Sequence, residues 1–180
     1  MKETLALVCF VLTLSGCETL VTPRYSISAD TNVSLRALNA TGVGVGPFTG
    51  PAEFDTFCRA YGPLVAPDNL THTAYIRKAL EDELKIAGAF AQDPARIILT
   101  GTVAKLEFSS TRGLTGGSWT IDLTVSSSNG TKAAVSEYYE FHSGFGADTA
   151  CRQTAEAFMP AVQNLLGNLV RSAQFNVLLR

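Results

Sequence analysis

The sequence predicts an α+β fold: a mainly antiparallel four-stranded sheet with two helices packed on one face, in the order β-α-β-β-β-α. Three features predict it. Trp119, Ile121, Leu123 and Val125 alternate with Thr120, Asp122, Thr124 and Ser126, the period of a strand with one buried and one polar face. Asn129-Gly130 follows, two residues that tolerate positive φ and so mark a hairpin. Twice, over 71–87 and 147–172, the apolar spacing changes to the 3.6 of a helix, which supplies covers for the apolar face of the sheet.

In chain order, the first strand is expected over 34–48, where Leu35, Ala37 and Leu38 lead into Val43 and Val45. Gly42, Gly44 and Gly46 superficially suggest a dinucleotide fingerprint, but that motif needs a helix opening on its last glycine, and here Pro47-Phe48 follow. They read instead as strand glycines that permit a bulge or the close approach of another backbone. Pro51, Gly62, Pro63 and Pro67 make 50–69 the longest irregular stretch, with Cys58 inside it. Thr71 or Asn69 then caps a helix to about Ala87, with Ile76, Leu80, Leu84 and Ala87 on one side and Gly88 as the stop. Arg77 to Glu81, Lys78 to Asp82 and Glu81 to Lys85 place opposite charges four apart, so Glu81-Asp82-Glu83 reads as a solvated face rather than a metal site.

The second strand is expected over 97–108 with Gly101 as a bulge, followed by a turn over 112–117, the alternating strand from Trp119, and its hairpin partner over 133–142 with Val135, Tyr138, Tyr139 and Phe141. The last helix carries Cys151, Ala155, Phe158, Val162 and Leu169 along its apolar side, and Pro160 predicts a kink or break near 156–160. Phe175, Val177, Leu178 and Leu179 read as a short final strand or tail.

Composition narrows the function. A net charge of −2 gives no basic footprint for a phosphate backbone, so nucleic acid is not an expected partner. Charged residues are 17% of the chain, against a usual figure of about 25%, which leaves a surface rich in Ser, Thr and Gly. Asp55, Cys58, His72 and His142 are the best candidates for chemistry, yet no G-x-S-x-G, H-E-x-x-H or paired-cysteine spacing surrounds them. No catalytic residue, cofactor or metal ligand is therefore expected.

The N-terminus carries the most specific signal. Met1-Lys2-Glu3 precedes an apolar run from Leu5 to Leu14 and then Leu14-Ser15-Gly16-Cys17, the layout of a secretory signal. A run of about ten residues is half of what a bilayer-spanning helix needs. Three regions are expected: a signal peptide over 1–16, an extended tether over 17–32 and one α+β domain over 33–180. Of the four cysteines, Cys9 lies in the signal, which leaves Cys17, Cys58 and Cys151. Export to an oxidising compartment favours a disulfide between Cys58 and Cys151, and two buried thiols or a Cys–His site using His72 or His142 are the alternatives.

Leu14-Ser15-Gly16-Cys17 resembles the lipobox of bacterial lipoproteins. That resemblance implies acyl chains on Cys17, which becomes the mature N-terminus. Because Glu18 rather than Asp follows, it also implies the outer membrane, facing the periplasm. With this motif in front, the α+β plan resembles the small outer-membrane lipoproteins that serve envelope machines. The LptE-type lipopolysaccharide-assembly lipoproteins are the nearest of these in element order, with the transport-auxiliary lipoproteins of lipid-trafficking ABC systems and the α/β domains of curli-type secretion lipoproteins beside them. The resemblance implies a non-enzymatic accessory or assembly role beside another envelope protein, such as a barrel, a transporter or a secretion complex. A ring-forming secretion subunit and, behind it, a periplasmic hydrolase are the other readings. No binding residue carries over, because the lipobox is the only motif matched.

Overall fold

The computed structural model describes residues 19–51 and 54–180. The signal sequence, Cys17 and Glu18 lie outside the described residues. The larger sheet is built from four strands, β2 (Val43–Thr49), β5 (Ile97–Arg112), β6 (Gly116–Ser127) and β7 (Lys132–His142), in the spatial order β2-β5-β6-β7. β5, β6 and β7 form the expected antiparallel meander, and β2 joins its edge in parallel with β5, so the α+β sheet is mixed. A smaller sheet, absent from the sequence expectation, is made by β1 (Leu20–Val21), β4 (Gly62–Val65) and β3 (Phe57–Cys58), with β4 in the centre.

Helices α2 (His72–Ala87) and α3 (Ala147–Arg171) cover the inner face of the larger sheet. Thr71 caps α2 by accepting from the Ala74 N–H, and Gly88 ends it in the left-handed conformation at φ 78°, both where the sequence puts them. The α2 stripe buries Tyr75, Ile76, Ala79, Leu80 and Leu84; α3 buries Phe158, Val162, Leu165, Leu166 and Leu169. Between helices and sheet lie Trp119, Ile121, Leu123 and Val125, all essentially without solvent contact. Side chains of this size contribute roughly 1.5–3 kcal/mol each when fully buried, so the packing of α3 on the meander is a main source of the fold's stability.

Several expectations are corrected. Residues 34–42 are not strand: Ser28 caps a helix, α1 (Ala29–Ala37), which packs over α2 and α3. Its buried residues are Thr31, Asn32 and Leu35, a polar stripe that hydrophobic periodicity does not register. Residues 20–32 are therefore no extended tether, since they hold β1 and the first turn of α1. Gly101 is not itself a bulge: it pairs directly with Val125 and Phe48, the shifts against β6 fall at Val103/Lys105 and Ser109/Arg112, and the shift against β2 puts its extra residue on β2, between Val45 and Phe48. What Gly101 needs is the missing side chain, because a Cβ there would lie 2.5 Å from the Phe48 ring. Gly44 fits its expected role, since a Cβ would come within 2.9 Å of Ala95 Cβ.

Pro47 sits at the β2 register shift on an edge strand, where a missing donor is tolerated. α3 runs unbroken through Pro160; the carbonyl that loses its donor belongs to Glu156, on the exposed face where water can replace it. The C-terminal segment is a helix, α4 (Ala173–Leu178), rather than a strand or tail. Ser172 ends α3 and caps α4 through the Phe175 N–H, which turns Phe175 and Leu178 into the core.

Candidate functional site

The start of α2 meets the loop before β3 and the middle of the meander, and the aromatic residues of all three converge there. Trp119 stands at the centre, its ring 4.6 Å from Phe158 and 5.2 Å from Phe108, with its Nε1–H donating to the Thr154 carbonyl at 2.9 Å. Phe54 packs edge-on against His72 at 5.0 Å, and His72 packs edge-on against Phe158 at the same distance. His72 is only 5% exposed, and its Nε2 has no hydrogen-bond partner. Burial among these rings lowers its pKa to about 4, because the imidazolium form has no water around it. The imidazole is neutral at pH 7.

Beside it opens a cavity of about 500 Å³. Phe48, Phe54, Leu64, Leu70 and Leu106 give it apolar walls, and Thr71, His72 and Thr73 at the first turn of α2 give it one polar edge. That size suits a small ligand or part of a larger one. Among the described residues no carboxylate is hydrogen-bonded to the neutral imidazole to orient it as a general base, and Asp55 is spent on its own turn, accepting from the Phe57 N–H at 2.8 Å. His142 is exposed at the far end of β7. Among the described residues, no hydrogen bond joins Asp55, His72 and His142. Sequence reasoning named His72 but missed Phe54, Phe108 and Phe158 as its surroundings, since each comes from a different element.

Cys58 and Cys151 are joined in a disulfide, with Cα atoms 5.7 Å apart. The bridge ties β3 to the first turns of α3, so neither cysteine is a free thiol. Arg59 reinforces the junction: its guanidinium donates to the Ser110 hydroxyl at 3.1 Å, the Ser110 carbonyl at 2.5 Å and the Phe145 carbonyl at 2.9 Å.

The acidic run on α2 divides. Glu81 pairs with Arg77 and Lys85, and Asp82 pairs with Lys78. Glu83, expected on the solvated face, is instead wholly buried, and its Oε1 accepts from the Tyr25 hydroxyl and the Ser28 N–H, both at 2.7 Å. The reason is α1 and the segment before it, which cover this side of α2. Burial and the adjacent Glu83 carboxyl push the Tyr25 phenol well above its ordinary pKa, so it stays a donor. No group of three or more His, Cys, Asp or Glu is placed to hold a metal among the described residues. No helix among them is long and apolar enough to cross a membrane.

No family model matches the chain, and no curated protein matches it significantly. Solved structures do. A Xanthomonas campestris protein of the DUF330 family superposes with a TM-score of 0.56 at 14% identity, over 85% of this chain and 95% of that one. The chain shares that protein's fold. A Caulobacter crescentus chain described as a candidate lipoprotein aligns with a TM-score of 0.37 at 14% identity, over 79% of this chain and 93% of its own. At 14% identity, the likeness to the Xanthomonas protein speaks for architecture and not for any residue of the site.

Proposed function

We propose that this protein is a membrane-anchored bacterial lipoprotein that acts as a non-enzymatic accessory or assembly factor in cell-envelope transport or biogenesis. One observation carries the reading: Leu14-Ser15-Gly16-Cys17 ends an apolar signal, and packed chain begins at Leu20, three residues later. An anchored cysteine in that position leaves the domain almost no freedom to diffuse away from the membrane face, which suits a factor serving a membrane machine. Two or three acyl chains make such attachment durable, because each buried methylene contributes roughly 0.8 kcal/mol. A lipopolysaccharide-assembly or transport-auxiliary type of lipoprotein suits this reading, with the outer membrane, through Glu18, as its location and a barrel, transporter or secretion complex as its partner.

The test is Cys17→Ser. The variant should fold, lose its acyl chains and leave the membrane fraction, while gently solubilised wild-type protein should bring an envelope protein with it. Variant protein retained on membranes in high salt would refute the anchor. Wild-type protein that always isolates alone would refute the accessory role. Replacing His72 and His142 together should leave that function intact; its abolition without unfolding would point to an enzyme.

A further inference from the structure

The entry point of the chain into the fold decides which end of the domain faces the lipid. β1 runs parallel to β4 with Leu20 beside Leu64, so the chain enters the fold at the end of β4 that carries Pro63, Gly62 and the turn at 59–61. That turn belongs to one end of the molecule. Arg59 in it donates to Ser110 near the end of β5 and to the Phe145 carbonyl in the loop between β7 and α3. The Ser143 N–H in the same loop donates to the Thr115 carbonyl, in the hairpin between β5 and β6. The 59–61 turn, the 113–115 hairpin and the 143–146 loop therefore form a common rim.

This rim carries apolar side chains with no protein to cover them. Leu114 at the hairpin tip and Phe145 in the loop are each 79% exposed, more than any other large apolar residue described, and Phe57 on β3 is 55% exposed. Cys17 precedes Leu20 by three residues, and three residues reach at most about 11 Å. An acylated Cys17 thus stays close to the rim, and the bilayer surface comes with it.

We propose that Leu114, Phe145 and Phe57 form a membrane-contacting rim that sinks into the headgroup region of the bilayer holding Cys17, so that the domain stands on its disulfide end. This inference rests on the anchor reading above. The occupant is a lipid surface rather than a protein because the length of the chain outside the described fold, and the point where it joins it, bring lipid to these residues. Attachment comes from the acyl chains; the three side chains fix the orientation. It leaves the opposite end of the sheet, with Ile98 and Val177, pointing away from the membrane. β5 has 16 residues, so the two ends are separated by roughly 50 Å of strand.

The experiment uses lipidated protein reconstituted into phosphatidylcholine vesicles that carry a nitroxide-labelled lipid. Leu114→Cys, Phe145→Cys, Ile98→Cys and Val177→Cys are each labelled with an environment-sensitive fluorophore; with Cys17 acylated and Cys58 bonded to Cys151, the introduced thiol is the reactive one. Probes at 114 and 145 should shift to the blue and be quenched severalfold more than probes at 98 and 177. Equal quenching at all four sites, with Cys17 shown by mass to be acylated, overturns the rim and leaves the anchor standing. An unacylated Cys17 overturns both.

Discussion

Replacing Cys58 and Cys151 together by alanine removes the covalent link between the small sheet and α3. The two residues are 93 apart in sequence, and the chain-entropy relation for a loop of that size gives about 4.7 kcal/mol at 25 °C. The folded state keeps the Arg59 hydrogen bonds and the β1-β4-β3 ladder, but those do not offset the loss, because the bridge acts on the unfolded chain. For a chain of this length, 1 kcal/mol corresponds to about 2–4 °C in Tm, so the fall should be roughly 10–20 °C. Thermal unfolding followed by circular dichroism, on Cys17→Ser protein with and without the double substitution, measures it. A fall below about 4 °C would refute the loop-closure account. Faster amide exchange confined to 57–65 at unchanged Tm would show that the bridge only pins the small sheet.

The lowered pKa of His72 predicts a specific acid sensitivity. The unfolded chain takes up a proton near pH 6.5 and the folded one only near pH 4, so the stability that neutral His72 contributes is full above pH 6.5, declines as pH falls and is gone below about 4. Between pH 7 and pH 5 this amounts to about 2 kcal/mol, and His72→Phe should remove that part of the slope in urea titrations; an unchanged slope would mean that His72 is not the group responsible. Glu83→Ala leaves the Ser28 N–H and Tyr25 hydroxyl without their acceptor and should cost about 2–4 kcal/mol, with amide exchange rising over 20–37; Glu83→Gln, which keeps an acceptor, should cost less. Gly101→Ala forces Phe48 aside and should cost about 1–3 kcal/mol by denaturant unfolding, and a neutral result would show that the ring has room to move.

The meander and its two covers were legible in the sequence because each element has a strong period and its own punctuation. Trp119 to Val125 alternate cleanly, Gly130 takes the φ of 88° expected of it, and Thr71 and Gly88 bracket α2. α1 was not legible. Its buried side is Thr31, Asn32 and Leu35, and Asn32 packs by donating to the Glu83 carbonyl, so the helix is held by polar contacts that hydrophobic spacing does not encode. The small sheet was hidden for a different reason: two-residue strands have no period, and Pro63 in β4 reads as loop. The same long-range folding hid the cavity. Phe48, Phe54, Leu64 and His72 are ordinary core residues in sequence, and only the packing of a mixed sheet against the first turn of α2 leaves space between them.

The anchor and the disulfide belong to one mechanical argument. With so few residues between Cys17 and Leu20, a pull on the proposed lipid anchor would pass almost undamped into β1. β1 is only two residues long, and backbone hydrogen bonds such as that from the Thr22 N–H to the Val65 carbonyl contribute about 1 kcal/mol each, too little to bear a load alone. The load is carried onward. β4 pairs with β3, β3 is bonded through Cys58 to Cys151, and Cys151 opens α3, the longest helix described and the one packed on the meander. From the other side, Glu83 grips Tyr25 and Ser28 just after β1, fastening the same segment to α2. A single-domain protein tethered by a long flexible linker needs neither fastening, since the linker absorbs the motion. Under the proposed anchor, these two fastenings at the point where the chain enters the fold would hold the domain against a pull from the membrane.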